Sequence, residues 1–321
     1  MYEADLKTTG KWFVYSALVG VVAGVGAIVF QFACQFVLHY GLAALTGYSP
    51  AEPSGEATWF SHSPSSDISL FAIVGVMAVG GLLSGLIVYY FAPEAEGHGT
   101  DSAIEAFHHK RGEIRSRIPI VKLISSAITL GTGGSGGREG PIAQIGAGFG
   151  SFLATKLKLS NHDRRILLAA GMGAGVGAIF RAPLAGALFS AEILYREQEL
   201  ESDVIVPTAI SSVISYIVFS LSLPPEIQFT PLFGESIQFR MNSLLEILPL
   251  AALAVVLTLA GVLYIKTFYG THRVFKKLPI PPWLSPVIGA VLAGAAGIAI
   301  YYASGADLAS LAVLSTGYGF I

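Results

Sequence analysis

The chain has 321 residues, of which 53% are hydrophobic and only 12% charged, with a formal net charge of −2. Ordinary soluble domains are about a quarter charged, so this composition excludes a soluble globular protein and describes an integral membrane one. The single cysteine, Cys34, excludes an intramolecular disulfide and gives no reason to expect redox chemistry.

Crossing ~30 Å of hydrocarbon takes about 20 apolar residues in a helix. The chain opens on a polar stretch containing Glu3, Asp5, Lys7 and Lys11, and no small-residue cleavage site follows it. No removable signal peptide is expected, and the first apolar tract, Trp12 to Leu45, is expected to stay as a membrane helix. A Ser- and Pro-rich loop from Thr46 to Asp67 leads to a second tract, Ile68 to Phe91. Next comes Glu96-Gly97-His98-Gly99-Thr100-Asp101, followed by a short helix expected over Ser102 to His109 and capped by Thr100 or Asp101. Four apolar pieces then follow: Ile118 to Leu130, Pro141 to Leu153, Ile166 to Ile179 and Pro183 to Leu194. All are too short for a comfortable crossing, so helices that stop inside the bilayer are expected. Full-length tracts return at Ile205 to Leu223, Leu244 to Phe268 and Pro286 to Tyr302.

Sixteen of the nineteen Lys and Arg residues cluster in alternate connections, whereas the linker from Thr46 to Asp67 has none and that from Ser222 to Asn242 has only Arg240. By the positive-inside bias, the basic connections and the N-terminus are cytoplasmic. The two remaining cations, Arg138 and Arg181, fall in apolar segments and need separate explanations. After Asn242 the chain restarts its opening plan of a long apolar helix, a Pro-rich loop and a glycine-bearing helix ending in a Tyr-Tyr pair, with Tyr301-Tyr302 answering Tyr89-Tyr90. Residues 1–222 therefore read as a first membrane repeat and 243–321 as the start of a second, an arrangement that in transporters puts the ion site near the midplane.

The chemistry concentrates at Gly133-Gly134-Ser135-Gly136-Gly137-Arg138-Glu139-Gly140-Pro141. Proline suits the first turn of a helix, and the glycines before it leave backbone amides uncovered. A helix N-terminus with free amides is an anion site, and a half helix places it at mid-depth. The Glu139 carboxylate is itself an anion able to occupy such a site and to leave on protonation. A formal dinucleotide fingerprint at Gly131 to Gly136 lacks the strand and βαβ unit it requires, and no Lys-Ser or Lys-Thr closes a P-loop. The plainer alternative is glycine-rich packing around an Arg138–Glu139 charge pair, although ionisable residues in membrane segments are usually functional.

Gly97 to Thr100 and Arg181-Ala182-Pro183 share this design. His98 reads equally as a capping residue, and Glu192 as a helix-end carboxylate paired with Arg196. Gly171, Gly173, Gly175 and Gly177 form a stripe for close helix packing.

Gly134-Ser135-Gly136-Gly137-Arg138-Glu139-Gly140-Pro141, Gln144-Ile145-Gly146-Ala147, and Ala182-Pro183-Leu184-Ala185-Gly186-Ala187-Leu188-Phe189 with Glu192 resemble the signatures of the CLC chloride channels and chloride/proton antiporters. The resemblance implies an all-α inverted-repeat bundle of tilted, partly re-entrant helices, assembled as a homodimer in the cell membrane with one anion pathway per subunit. Glu139 would be the gating glutamate, Glu139 and Glu192 a proton path, and Gly97, His98, Gly99, Thr100, Arg138, Gly140, Pro141 and Ile142 the anion-binding surroundings.

Three departures accompany it. His98 and Asp101 stand where the family carries the serine and proline of Gly-Ser-Gly-Ile-Pro. Ile193 stands where antiporters carry an inner glutamate. The Gly-x-Phe-x-Pro motif and the distal tyrosine would lie beyond Ile321, leaving the second repeat incomplete. The resulting expectation is transport of chloride or a similar anion, either passive or coupled to protons. The alternatives are a non-transporting fragment and a transporter of another anion such as fluoride or nitrate. No enzyme activity, cofactor, metal or nucleic-acid partner is expected.

Overall fold

The computed structural model describes residues 6–60, 68–194, 202–233, 243–305 and 307–320. Among these residues there is no strand, and the protein is all-helical. α1 (Leu6–Val37) continues through a π-helical turn, Leu38–Ala43, into the short α2 (Ala44–Thr46), so one apolar rod runs from Gly10 to Thr46. It is followed by α3 (Leu70–Phe91), α4 (Thr100–His109), α5 (Arg117–Gly131), α6 (Glu139–Lys156), α7 (Asn161–Ile179), α8 (Pro183–Leu194) and α9 (Ser202–Leu221). α10 (Ile247–Lys277) and α11 (Ser285–Ala303) complete the set. Among the described residues, five rods are long and apolar enough to cross a membrane: Gly10–Thr46, Leu70–Phe91, Asp203–Leu221, Leu244–Lys277 and Pro282–Ala303. α8, expected to be short, has 12 residues.

The core forms around α7, which is buried at every position from Ile166 to Ile179. Without a hydrophobic drive between helices in lipid, packing and interhelical hydrogen bonds hold them together, and small residues permit the approach. The glycine stripe does this on several sides. Gly171 meets Gly146 of α6, Gly175 lies against the Ile142 carbonyl, Gly173 against Thr208 of α9 and Gly186 of α8, and Gly177 against Ser212. Serine hydroxyls supply the polar part. Ser190 Oγ donates to the Ala169 carbonyl at 2.7 Å, Ser211 Oγ to Ala170 at 2.7 Å, and Ser212 Oγ to Pro183 at 2.8 Å. α3 and α11 pack together where Gly81 and Gly85 admit the backbone of residues 283–287. α10 presents an exposed apolar surface and reaches the N-terminal end of α4 through Phe268, beside His98, and Tyr269, bonded to Asp101.

Several local expectations are corrected. α4 begins at Thr100 rather than Ser102, and its cap is neither Thr100 nor Asp101. Its N-cap is Gly99, whose φ of +108° falls in the region an L side chain avoids. α6 begins at Glu139, so Pro141 is the third residue of its first turn, where its missing N–H still has no intrahelical acceptor to lose. Lys122, read from sequence as part of a basic connection, lies inside α5 and is buried, its charge met by backbone carbonyls. Arg196 and Arg240 lie outside the described residues.

Candidate functional site

The N-termini of α4 and α6 converge. A Cβ placed on Gly99 would come 2.7 Å from the Gly140 carbonyl, and one on Gly140 would strike the His98 carbonyl. Only glycine at both positions lets the two turns touch, which brings His98 and Gly99 against Gly140 and Gln144, while nothing lies within 4 Å of a Cβ built on Gly97. Gly97 is exposed, whereas Gly99, Thr100 and the Gly140 to Ile142 turn are buried. Lys122 Nζ donates to the carbonyls of Ala95, at 3.0 Å, and Gly97, at 2.5 Å, which fixes the entry to α4 and places a buried cation behind it. Gln144 Nε2 ties α6 to the same entry through the Glu94 carbonyl at 3.1 Å and Ser102 Oγ at 2.9 Å.

The His98 ring does not face an empty site. Its Nδ1 accepts the Thr100 amide at 3.3 Å, and its Nε2 lies 3.1 Å from Asp101 Oδ2, which also accepts from Tyr269 Oη at 3.1 Å. The Nδ1 contact to the first amide of α4 is that of a capping residue.

Arg138 and Arg181 find their explanation in a strap formed by residues 50–59. The Arg138 guanidinium, 3% exposed, makes a two-pronged pair with Glu56, Nη1–Oε1 at 2.6 Å and Nη2–Oε2 at 3.1 Å, and also bonds Gln31 Oε1 at 2.5 Å. Gln31 bonds Glu56 in turn, and Gln35 Nε2 donates to the Ala57 carbonyl at 2.7 Å. Arg181, in the left-handed region at φ +52° after α7, donates to the Gly55 carbonyl and to the carbonyls of Ile227 and Thr230. The two arginines therefore hold the strap and the 227–230 turn over the ends of α6 and α7. The Arg138 side chain, counted from sequence among the anion surroundings, is committed to this structural role.

Glu52 lies on the same strap. Burial, and then the neighbouring Glu56 charge, push its carboxyl from an ordinary 4.5 up to about 7, with Arg138 opposing. A raised carboxyl withholds stability once it ionises, so the folded state should weaken as pH rises from about 4.5 to about 7 and level off above that. Glu52→Gln is expected to flatten this slope in thermal denaturation across that window; an equally steep slope in the variant would assign it to another group.

Glu139 opens α6, and its side chain is exposed. Its carboxylate leans back over Gly137, so that a Cβ there would clash with Oε2, and Oε1 accepts a hydrogen bond from Tyr318 Oη at 2.7 Å. Among the described residues no hydrogen bond joins it to the amides of Gly140 or Ile142, the latter donating to the Arg138 carbonyl. The Tyr318 hydroxyl also accepts the Arg138 backbone N–H at 3.0 Å. Its ring lies 4.9 Å under the Arg138 guanidinium, with Phe180 and Phe233 edge-on at 6.0 and 6.1 Å. Backbone bonds between Ser315 and residues Gly133 and Gly136 lock this segment beside the glycine loop. Glu192 is an exposed residue of α8, and its expected partner Arg196 falls outside the described residues. Sequence reasoning missed Tyr318, Glu56 and Gln31, because nothing local to those residues signals a partner 82 to 180 positions away.

Known proteins are similar to this chain in sequence and in fold. The chain is 28% identical over 304 residues to an H(+)/Cl(−) exchange transporter ClcA of Yersinia pseudotuberculosis, covering 91% of this chain and 58% of that protein. It is 32% identical over 189 residues to a ClcA of Klebsiella pneumoniae, covering 58% of this chain and 37% of that one. The chain thus spans less than two thirds of these relatives. Among solved structures, a slow cyanobacterial Cl−/H+ antiporter superposes with a TM-score of 0.70 at 21% identity, covering 96% of this chain and 73% of that one. A CLC-type fluoride/proton antiporter gives 0.70 at 17% identity, with 94% and 67% covered. Both establish the fold. With the voltage gated chloride channel family model matching residues 80–321, on top of the glycine-framed Glu139 and the converging turns of α4 and α6, the chain belongs to that family.

Proposed function

We propose that this protein carries chloride, or another small inorganic anion, across the membrane, with Glu139 as the gate. One observation carries the reading: an exposed carboxylate begins α6 where that helix meets the N-terminal turn of α4, and its hydrogen bond goes to a tyrosine rather than to the helix amides. Backbone amides at a helix N-terminus favour negative charge. A carboxylate that can occupy or vacate the position competes there with a mobile anion, and its protonation removes the competitor. The buried Lys122 adds positive potential behind the converging turns without its ammonium facing them, since it donates to Ala95 and Gly97.

Proton exchange through Glu139 and Glu192 is part of the proposal, as the exchange transporters named above support it. So are a homodimeric assembly, a location in the cell membrane and a cytoplasmic N-terminus, the last resting on the distribution of Lys and Arg. No catalytic role is proposed. In reconstituted vesicles, Glu139→Gln is expected to make anion flux insensitive to external pH, because the amide cannot ionise. Undiminished pH dependence in that variant would remove Glu139 from the gate. Flux measured together with proton movement separates exchange from passive conduction.

A further inference from the structure

We propose that Tyr318 is the docking point of the Glu139 carboxylate when it stands aside from the α6 amides, and so sets how far the ionised gate remains open. This deepens the reading of Glu139 as the gate and rests on it. Tyr318 acts as a positioning residue, through Glu139.

The geometry points to a dedicated dock. The Tyr318 oxygen receives the Arg138 amide, so its own proton is directed away from that bond and toward Glu139 Oε1, 2.7 Å away. A phenol donating to a carboxylate is a charge-assisted hydrogen bond, roughly twice as strong as a neutral one. The hydroxyl is held rigidly. The ring is fixed on three sides by Arg138, Phe180 and Phe233, and the backbone by Ser315 against Gly133 and Gly136. Gly137 removes the side chain that would otherwise occupy the space of the folded-back carboxylate.

An ionised Glu139 therefore has two competing positions, the amides at its own helix N-terminus and this hydroxyl. Protonation weakens the hold of both. A ligand group shifts such an equilibrium only by its differential interaction with the two states. Loss of the hydroxyl therefore depletes the open, ionised state and leaves the open, protonated state nearly unchanged.

The test is chloride efflux from vesicles as a function of external pH. Tyr318→Phe keeps the ring in its aromatic seat and removes the donor. Flux on the alkaline plateau should fall about tenfold, the typical scale of one charge-assisted hydrogen bond, while the acid plateau stays put. On a Glu139→Ala background, with no carboxylate to dock, the same substitution should change nothing. Incorporating 3-fluorotyrosine at 318, a stronger donor that preserves the packing, should raise the alkaline plateau, and this measurement decides the matter if the phenylalanine variant folds poorly.

The dock is overturned if both plateaus fall together, if Tyr318→Phe acts equally on the Glu139→Ala background, or if the alkaline plateau ignores both changes at position 318. A Glu139→Ala protein that keeps its pH dependence refutes the gate itself, a separate failure.

Discussion

Arg138→Met is expected to destabilise the folded protein by about 3–5 kcal/mol, the usual cost of removing one partner from a buried ion pair. The guanidinium is almost wholly inaccessible, and the Glu56 side chain opposite it is 7% exposed. Removing the cation strands a carboxylate among Gln31, Cys34 and the strap, with the neutral Gln31 amide still donating to it. The strap should then loosen to let Glu56 reach water, and the Tyr318 ring loses the guanidinium that lies over it. The double variant Arg138→Met with Glu56→Met should recover most of the loss, because a well-packed apolar pair of similar volume is often as stable as the ion pair it replaces. Thermal unfolding in detergent measures both. If the single variant melts with the wild type, the pair contributes little and the strap must be held by Arg181 and Gln35. If the double variant is no better than the single one, the loss comes from packing rather than from the stranded charge.

The second large effect lies at the crossing of α6 and α7. Gly146 and Gly171 face each other so closely that a Cβ on either would come 2.1 Å from the carbonyl oxygen of the other. Neither obstacle is a flexible side chain. Only separation of the two helices can relieve it, and α7 is packed on its other sides against α1, α8 and α9. Gly171→Ala and Gly146→Ala are each expected to cost about 3 kcal/mol or more, at or beyond the upper end of ordinary overpacking. They should combine to less than their sum, since one separation of the helices relieves both. Gly261→Ala, on the exposed α10 with nothing within 4 Å, provides the contrast. There alanine should stabilise by about 0.5–1 kcal/mol through backbone entropy and helix propensity. Equal melting behaviour for Gly171→Ala and Gly261→Ala would show that the crossing relaxes at little cost.

The long rods were legible because hydrocarbon thickness imposes a length and a composition on any helix that spans it. Trp12 to Leu45 lies within the rod from Gly10 to Thr46, Ile68 to Phe91 begins two residues ahead of α3, and Leu244 to Phe268 runs from a 3-10 turn into α10. Of the short pieces, Pro183 to Leu194 coincides with the 12-residue α8, whereas Pro141 to Leu153 and Ile166 to Ile179 lie in helices of 18 and 19 residues whose polar ends an apolar tract leaves out; the glycine stripe of α7 was legible because close approach needs small residues. Exact starts were harder to read. α4 and α6 begin at Thr100 and Glu139 because Gly99 and the turn before Glu139 satisfy local backbone geometry, and that geometry depends on the neighbouring turn.

By itself, then, the sequence determined the membrane class, the approximate helical spans and Glu139 as an ionisable group framed by glycines near a helix N-terminus, since period, length and glycine framing are local properties of the chain. Only the tertiary structure decided what surrounds that carboxylate. Arg138 faces Glu56 rather than Glu139, Lys122 stands behind the α4 entry, His98 is occupied by Asp101, and Tyr318 arrives from 179 residues away to bond the Glu139 carboxylate. These partners are set by which buried charges and donors the fold brings within hydrogen-bond reach, and separation along the chain carries no trace of that.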